Sequence, residues 1–301
     1  MCSTSKVTQE VFMDKPFWQK GLNSEQERAV KQTEGPVLIL AGAGSGKTKT
    51  LTHRIAYLMV EKKISGANIL AVTFTNKAAL EMKERVELLL ESGRHEGARV
   101  GQMPHMGTFH TLCARILRKE IAVLGYETNF QIFDDQDQQS LMKQVMKTLE
   151  LDGDQIRPRA LMEAISRAKN AFIDEEQFLA QAGSYFEEIV AKVYQSYQRE
   201  LKRNNALDFD DLIRFVVTIF QQHPEILTRY QEQFRYIMVD EYQDTNSPQY
   251  LFIHLLAQKE KNIFVIGDDY QSIYGWRQAD IRNILNFEKD YPEAVVITLD
   301  Q

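Results

Sequence analysis

The sequence is short of several things, and each shortage removes a class of function. Only two of its 301 residues are cysteine, Cys2 and Cys113. They make neither a disulfide framework nor a metal-ligand spacing, so no structural zinc site is expected and a reducing cytoplasm is. Apolar runs are a few residues long, far below the roughly twenty that span a bilayer, so no membrane segment is expected. Met1 to Glu10 is polar and has no apolar h-region, so no secretory signal is expected. Positive charge is not in excess: 36 Lys and Arg face 42 Asp and Glu, a formal net charge of −6. That balance argues against a protein that holds nucleic acid mainly by a broad basic surface. It does not exclude a narrow groove that works by stacking. No internal repeat or low-complexity segment is present. What remains is an ordinary globular composition, 44% hydrophobic and 26% charged, at a length that suggests about two domains.

Against that plain background one run carries chemistry. Ala41-Gly42-Ala43-Gly44-Ser45-Gly46-Lys47-Thr48, followed by Lys49, comes directly after the apolar stretch Val37-Leu38-Ile39-Leu40. Small residues let successive backbone N–H groups curl around a phosphate, a lysine supplies a mobile cation, and a threonine hydroxyl can ligate Mg²⁺. Helix start and anion site then coincide at Gly46 to Thr48. The first position is Ala where the strict pattern has Gly. The strand before it and the amphipathic helix after it, with Leu51, Ile55, Leu58 and Met59 on one face, supply the context that a nucleotide-binding P-loop needs.

Organisation along the chain points to an α/β protein with an insertion. Residues 1–20 lack periodicity and read as a flexible leader in which Phe17 and Trp18 could dock, so order is expected to begin near Leu22. Ser24-Glu25-Gln26-Glu27 has capping-box spacing and opens a short helix that Gly35-Pro36 ends. Buried strands are expected at Ile69 to Thr73, Met106 to Phe109, Tyr236 to Val239, Ile263 to Ile266 and Val295 to Leu299. Helical patterns lie between most of them, as in the stripe Ala79, Met82, Val86 and Leu90. Alternating strands and helices imply a mostly parallel sheet covered on both faces. From about Thr128 to Asn205 only Phe130 to Phe133 resembles a strand, and the stripe Ile189, Val193, Tyr197 and Leu201 marks a long helix. An all-helical subdomain over 127–205, inserted into a domain made of 21–126 and 206–301, explains the change. Asp208 to Asp211 then caps a helix through Phe220.

Two further segments complete a candidate site. Asp240 closes the strand Tyr236 to Val239, where a P-loop ATPase needs a carboxylate for the Mg²⁺ shell, and Glu241 could accept the proton of an attacking water. The strand Ile263 to Ile266 ends in Gly267-Asp268-Asp269-Tyr270-Gln271-Ser272-Ile273-Tyr274-Gly275-Trp276-Arg277. The Gln271 amide both donates and accepts, so it could sense a γ-phosphate or orient water. Tyr274, Trp276 and Arg277 suit a stacking surface for bases, and Tyr274 and Trp276 suit a core equally well.

Taken in order, these segments resemble the UvrD/PcrA/Rep family of superfamily 1 DNA helicases from about Leu22 to the last residue. Leu22-Asn23 with Gln26 and Ala29 is similar to the family's Q motif, which implies that Gln26 reads adenine. Ala41 to Thr48 matches motif I, implying that Lys47 contacts phosphate and Thr48 ligates Mg²⁺. Thr73-Phe74-Thr75-Asn76-Lys77-Ala78-Ala79 is similar to motif Ia, whose aromatic stacks on single-stranded DNA, and Thr108-Phe109-His110 to motif Ib, which touches the DNA backbone. Leu207-Asp208-Phe209-Asp210-Asp211-Leu212 looks like the family segment that follows the helical insertion. Asp240 to Asp244 matches motif II. Gly267 to Arg277 resembles motif III, with Tyr270 where an acid is frequent and Gln278 where Gly is.

The resemblance implies a RecA-like first motor domain that uses ATP and Mg²⁺ to move 3′ to 5′ on single-stranded DNA and to open single-strand/duplex junctions. It also implies catalytic roles for Lys47, Asp240, Glu241 and Gln271, and a DNA face made of Phe74, Thr75, Asn76, Thr108, Phe109, His110, Tyr274, Trp276 and Arg277. Thr298-Leu299-Asp300-Gln301 resembles the approach to motif IV. The second motor domain, with its arginine fingers, is therefore an expected partner, alongside repair or replication proteins, and slow hydrolysis is expected without it. A nucleotide-switched DNA-binding module and a subunit of a recombination helicase–nuclease are the other readings.

Overall fold

A computed structural model describes residues 15–93, 101–151, 153, 156–268 and 287–299. Six strands form one parallel sheet: β1 (Val37–Ala41), β2 (Ile69–Thr73), β3 (His105–Thr108), β6 (Tyr236–Val239), β7 (Ile263–Gly267) and β8 (Val295–Leu299), in the spatial order β3-β2-β6-β7-β1-β8. The register places Leu38 beside Val265 on one side and Val296 on the other. Side chains alternate across the sheet, and the two faces make two cores. Leu38, Leu70, Val72, Val239 and Val265 pack toward helices α4 (Phe109–Glu120), α9 (Phe209–Gln222), α10 (Pro224–Gln233) and α11 (Ser247–Ala257). Ile39, Ala71, Met238 and Ile266 pack toward α1 (Ser24–Lys31), α2 (Lys47–Val60) and α3 (Asn76–Ser92). Burial on both faces is why these strands read as continuous apolar runs. The result is a RecA-like parallel sheet with a P-loop and a helical insertion.

The insertion is closed by a short ladder of its own. β4 (Gln131–Ile132) pairs in parallel with β5 (Ala206–Leu207), so the chain leaves and returns at one place. Between them α5 (Asp135–Thr148), α6 (Pro158–Asn170), α7 (Glu175–Gln181) and α8 (Tyr185–Arg203) share a separate core that includes Leu141, Val145, Leu161, Ile165, Ile189, Val193, Tyr197 and Leu201. The stripe of four read from the sequence is the buried face of α8.

The docking that the sequence allowed for Phe17 and Trp18 is present, and two other expectations need correction. Phe17 and Trp18 are buried in a 3₁₀ turn, the Trp18 indole donates to Glu61 Oε1 at 2.8 Å, and its ring lies edge-on to Tyr57 at 4.6 Å. A Cβ on Gly93 would sit 2.5 Å from the Phe17 ring, so that position excludes a side chain. The first helix is capped one residue earlier than Ser24: the Asn23 side chain accepts from Gln26 N–H, and Gln26 Oε1 accepts from Asn23 N–H. Phe109 opens α4 instead of ending β3, because the Thr108 hydroxyl accepts the Thr111 N–H and stops the strand. Among the described residues no helix is long and apolar enough to cross a membrane.

Candidate nucleotide site and adjoining groove

In an open parallel sheet, loops at the carboxyl ends of the strands make the binding site. Here β1, β6 and β7 end in the P-loop, Asp240-Glu241 and Asp268 respectively. Gly44 and Gly46 have φ of +82° and +83°, a left-handed geometry that strains any residue with a Cβ. The loop is closed by Ser45, whose Oγ donates to the Gly42 carbonyl at 2.8 Å. No side chain caps α2 at Gly46. The first N–H groups of that helix are therefore left for an anion, at the positive end of the helix dipole.

Gln26 is tied to this loop. Its Nε2 donates to the Ser45 carbonyl at 2.9 Å while its Oε1 serves the cap of α1. A Cβ on Gly46 would meet Gln26 Nε2 at 2.7 Å. Both ends of the amide are thus engaged within the protein, and reading a base would require exchanging these bonds. Lys49, expected to touch the nucleotide, has its ammonium on the Gly21 carbonyl at 2.5 Å. That bond ties the first turn of α2 to the N-terminal segment.

Opposite the loop, carboxylates converge on Lys47. Its Nζ lies 3.1 Å from Glu241 Oε2 and 3.9 Å from Asp268 Oδ2, with 12% of the lysine side chain exposed. Gln243 bridges the two strand ends: Nε2 donates to Glu241 Oε2 at 2.8 Å, and Oε1 accepts from Asp268 N–H at 3.1 Å. Glu241 has φ +51°, an uncommon conformation for a residue with a side chain, which costs of order 1–3 kcal/mol and marks a site under constraint. Asp240 is buried at the end of β6, and burial, with the neighbouring Glu241 charge second, pushes its carboxyl up to about 6.

Among the described residues no group of three or more His, Cys, Asp or Glu could hold a metal. Mg²⁺ needs no such cluster, since it keeps several waters and takes one or two carboxylates plus phosphate oxygens. Asp240, a carboxyl raised by its burial and then by the Glu241 charge, and the half-buried Thr48 hydroxyl offer the oxygen donors such an ion prefers.

A groove of about 390 Å³ adjoins this site. Phe74, just past β2, is half-buried and edge-on to Phe109 at 5.5 Å. Phe109 is 1% exposed and backed by Phe252 at 6.4 Å, so it lines the floor of the groove and supports Phe74. The hydroxyls of Thr75 and Thr108 are spent capping α3 and α4, and Asn76 is exposed at the start of α3. His110 lines the groove, and burial lowers its pKa and keeps the ring neutral. The structure therefore brings Phe74, Thr108, Phe109 and His110 together and leaves Thr75 and Asn76 outside the lining. Gln271, Tyr274, Trp276 and Arg277 lie outside the described residues.

The other wall comes from Ser166, Asn170, Asp210, Asp244, Asn246 and Gln249. Phe209, beside the groove and outside its lining, is 41% exposed and stands edge-on to His110 at 5.8 Å. An aromatic at the start of an amphipathic helix, off its apolar stripe, was the available signal. Asn170, from the insertion, donates to Asp210 Oδ1 at 2.9 Å and accepts from Asn246 Nδ2 at 3.1 Å, joining α6 and α9 to the segment after Asp240-Glu241. The described lining carries no lysine or arginine. A strand bound there would be held by aromatic and amide faces, with its phosphates turned away from the Asp210 and Asp244 carboxylates.

Beneath this wall Lys169 is fully buried between Asp208 Oδ2 at 2.6 Å and Asp211 Oδ1 at 2.9 Å. Tyr197 donates to Asp208 at 3.3 Å and Gln198 to Asp211 at 3.3 Å. Burial works to discharge Lys169, yet Asp208 and Asp211 hold it above its ordinary value. The cluster fastens the insertion to the first turn of α9.

Comparison with known proteins agrees with this geometry. Residues 22–292 match the model of the UvrD/REP helicase N-terminal domain. The chain is 54% identical over 282 residues to an ATP-dependent DNA helicase PcrA of Staphylococcus epidermidis, covering 94% of this chain and 38% of that protein. To the PcrA helicase of Staphylococcus aureus it is 53% identical over 280 residues, covering 93% of this chain and 37% of the relative. The chain spans less than two-fifths of the length of the curated relatives it matches.

Proposed function

The chain belongs to the UvrD/REP helicase N-terminal domain family, and from that premise we propose that it is the nucleotide-binding half of an ATP-dependent motor that moves 3′ to 5′ on single-stranded DNA. The observation that carries this reading is the Lys47–Glu241–Gln243 corner facing an uncapped helix start. Phosphates seated on the N–H groups of α2 draw Lys47 away from Glu241. The freed Glu241 carboxylate then accepts the proton of the attacking water, and Gln243 keeps it in place. Bound by Thr48, Asp240 and the phosphates, Mg²⁺ would neutralise the charge of the transferred group. Gln26 exchanges its bond to Ser45 for the adenine edge. Gln271 completes the phosphate contact.

Phe74, Phe209 and His110 hold the bases, and Tyr274, Trp276 and Arg277 are the further stacking residues that the sequence offers. Each stacked base contributes about 1–3 kcal/mol, enough to bind without a basic surface. Single-strand/duplex junctions are the substrate. Fast hydrolysis and unwinding draw on a second motor domain, within the additional length of the PcrA relatives, and repair or replication proteins direct it in the cytoplasm. Fluorescent Mg·ATP and a labelled dT oligonucleotide test the reading. Lys47→Ala should weaken nucleotide binding at least tenfold, while Glu241→Gln should leave binding intact and abolish the turnover gained on adding the second domain. Robust DNA-stimulated hydrolysis by the 301-residue chain alone, lost in Lys47→Ala, would contradict the need for that domain.

A further inference from the structure

A second concavity, of about 270 Å³, lies beside the edge strand β3, between α4 and α10. Its floor is apolar, built by Leu70, Leu112, Ile116 and Phe234, and its rim carries the cations Arg115 and Lys119 beside the His105 ring. We infer that this pocket docks a short segment of a partner protein in which carboxylates flank one bulky apolar side chain.

Four observations support this occupant. No carboxylate lines the pocket, although the chain as a whole carries a net charge of −6. Arg115 and Lys119 are exposed and make no ion pair with any described residue. Their neighbours are committed: Arg229 pairs with Glu120 at 2.9 Å, and Arg118 donates to the Thr128 and Phe130 carbonyls while lying over the Phe130 ring. His105 reports on how close the free cations lie, since burial first and then Arg115 and Lys119 lower its pKa. It leans edge-on against Phe234 at 5.1 Å, with the Gln233 amide 3.3 Å from its Nε2.

The dimensions favour a peptide anchor over other ligands. The volume falls just below the roughly 300 Å³ at which small-molecule sites begin, and matches one or two side chains. A nucleic-acid strand needs successive phosphate contacts, whereas this floor is aliphatic and aromatic and its cations cluster at one spot. Along α4, Arg115 and Lys119 lie about 10 and 16 Å beyond Thr108 at the 1.5 Å rise of a helix. The pocket is thus separate from the groove, and the inference stands whatever the nucleotide site does.

Random 12-residue peptides displayed on phage, selected against the intact 301-residue chain and then synthesised with a fluorescent label, test it. Selection should enrich carboxylates around a Leu, Phe or Trp. Arg115→Glu with Lys119→Glu should weaken those peptides at least tenfold while leaving the thermal midpoint of these two exposed positions unchanged. Binding should also raise the His105 pKa in an NMR titration, because bound carboxylates offset the two cations. The inference is overturned by basic or featureless enriched sequences, by equal binding to the double variant, or by an unmoved His105. It is also overturned if a dT oligonucleotide displaces the peptide from this pocket, or if the remaining length of a PcrA relative does so. Those results would assign the pocket to nucleic acid or to an intramolecular contact.

Discussion

Two lysines in this molecule each stand between two carboxylates, and their surroundings give them different work. Lys169 has no exposed surface, ion pairs of 2.6 and 2.9 Å, and partners that are themselves hydrogen-bonded. Lys47 keeps 12% of its side chain exposed, has pairs of 3.1 and 3.9 Å, and faces a Glu241 that is 36% exposed and conformationally strained. The first arrangement leaves the ammonium no place to go. The second holds a charge in waiting at the mouth of a helix whose N–H groups are uncapped. Identical chemistry becomes a fastening or a moving part according to how completely the protein desolvates it.

Replacing each lysine is the strongest way to break that comparison. Lys169→Met would leave Asp208 and Asp211 buried without their cation, and about 3–5 kcal/mol of stability should be lost in urea unfolding. Adding Asp208→Asn should restore part of it. Lys47→Met, at a half-solvated pair, should cost less than about 1 kcal/mol in the same assay. Equal losses at the two positions would erase the distinction.

The same contrast recurs in the aromatic pair beside the groove. Phe109→Ala removes a buried ring and should cost about 3–5 kcal/mol of stability. Phe74→Ala should leave the fold largely in place and weaken binding of a dT oligonucleotide by about 1–3 kcal/mol, read as a fold-change in Kd. A large DNA effect from a fully folded Phe109 variant would place that residue on the contact surface.

The smallest effect expected is in pH. With its carboxyl raised from 3.8 to about 6, Asp240 is largely protonated below that value. Any stability from holding it neutral is therefore present at low pH and is lost as pH rises through about 6. Metal-dependent nucleotide affinity should run the other way, falling by up to tenfold per unit below about 6. Calorimetry from pH 5 to 7 should show this slope, and Asp240→Asn should flatten it. A slope that survives the substitution would place the titrating group elsewhere.

Much of this was legible in the sequence because it is local. The P-loop, its strand and its helix follow one another within a few residues, and β2, β6 and β8 fall where their apolar runs predicted. Asp240 and Glu241 were found from their place at a strand end. Lys169 was not, because its partners lie 39 and 42 positions away and nothing in α6 marks it among other helical cations. Phe74 and Phe109 looked equivalent as motif aromatics, and burial against Phe252 separated them. Asn170 carried no signal, since it acts only when the insertion folds back against α11.

What the sequence determined alone was therefore the set of parts: a left-handed glycine turn, an uncapped helix start, carboxylates at strand ends, and the α/β alternation. These depend on neighbours within one helical turn or one pleat, where a residue's preferences act directly. The tertiary structure decided which lysine is locked, which phenylalanine keeps a face, and that Gln26 holds the loop while the site waits. Those outcomes depend on desolvation, and a side chain's desolvation is set by residues that only the fold brings near it.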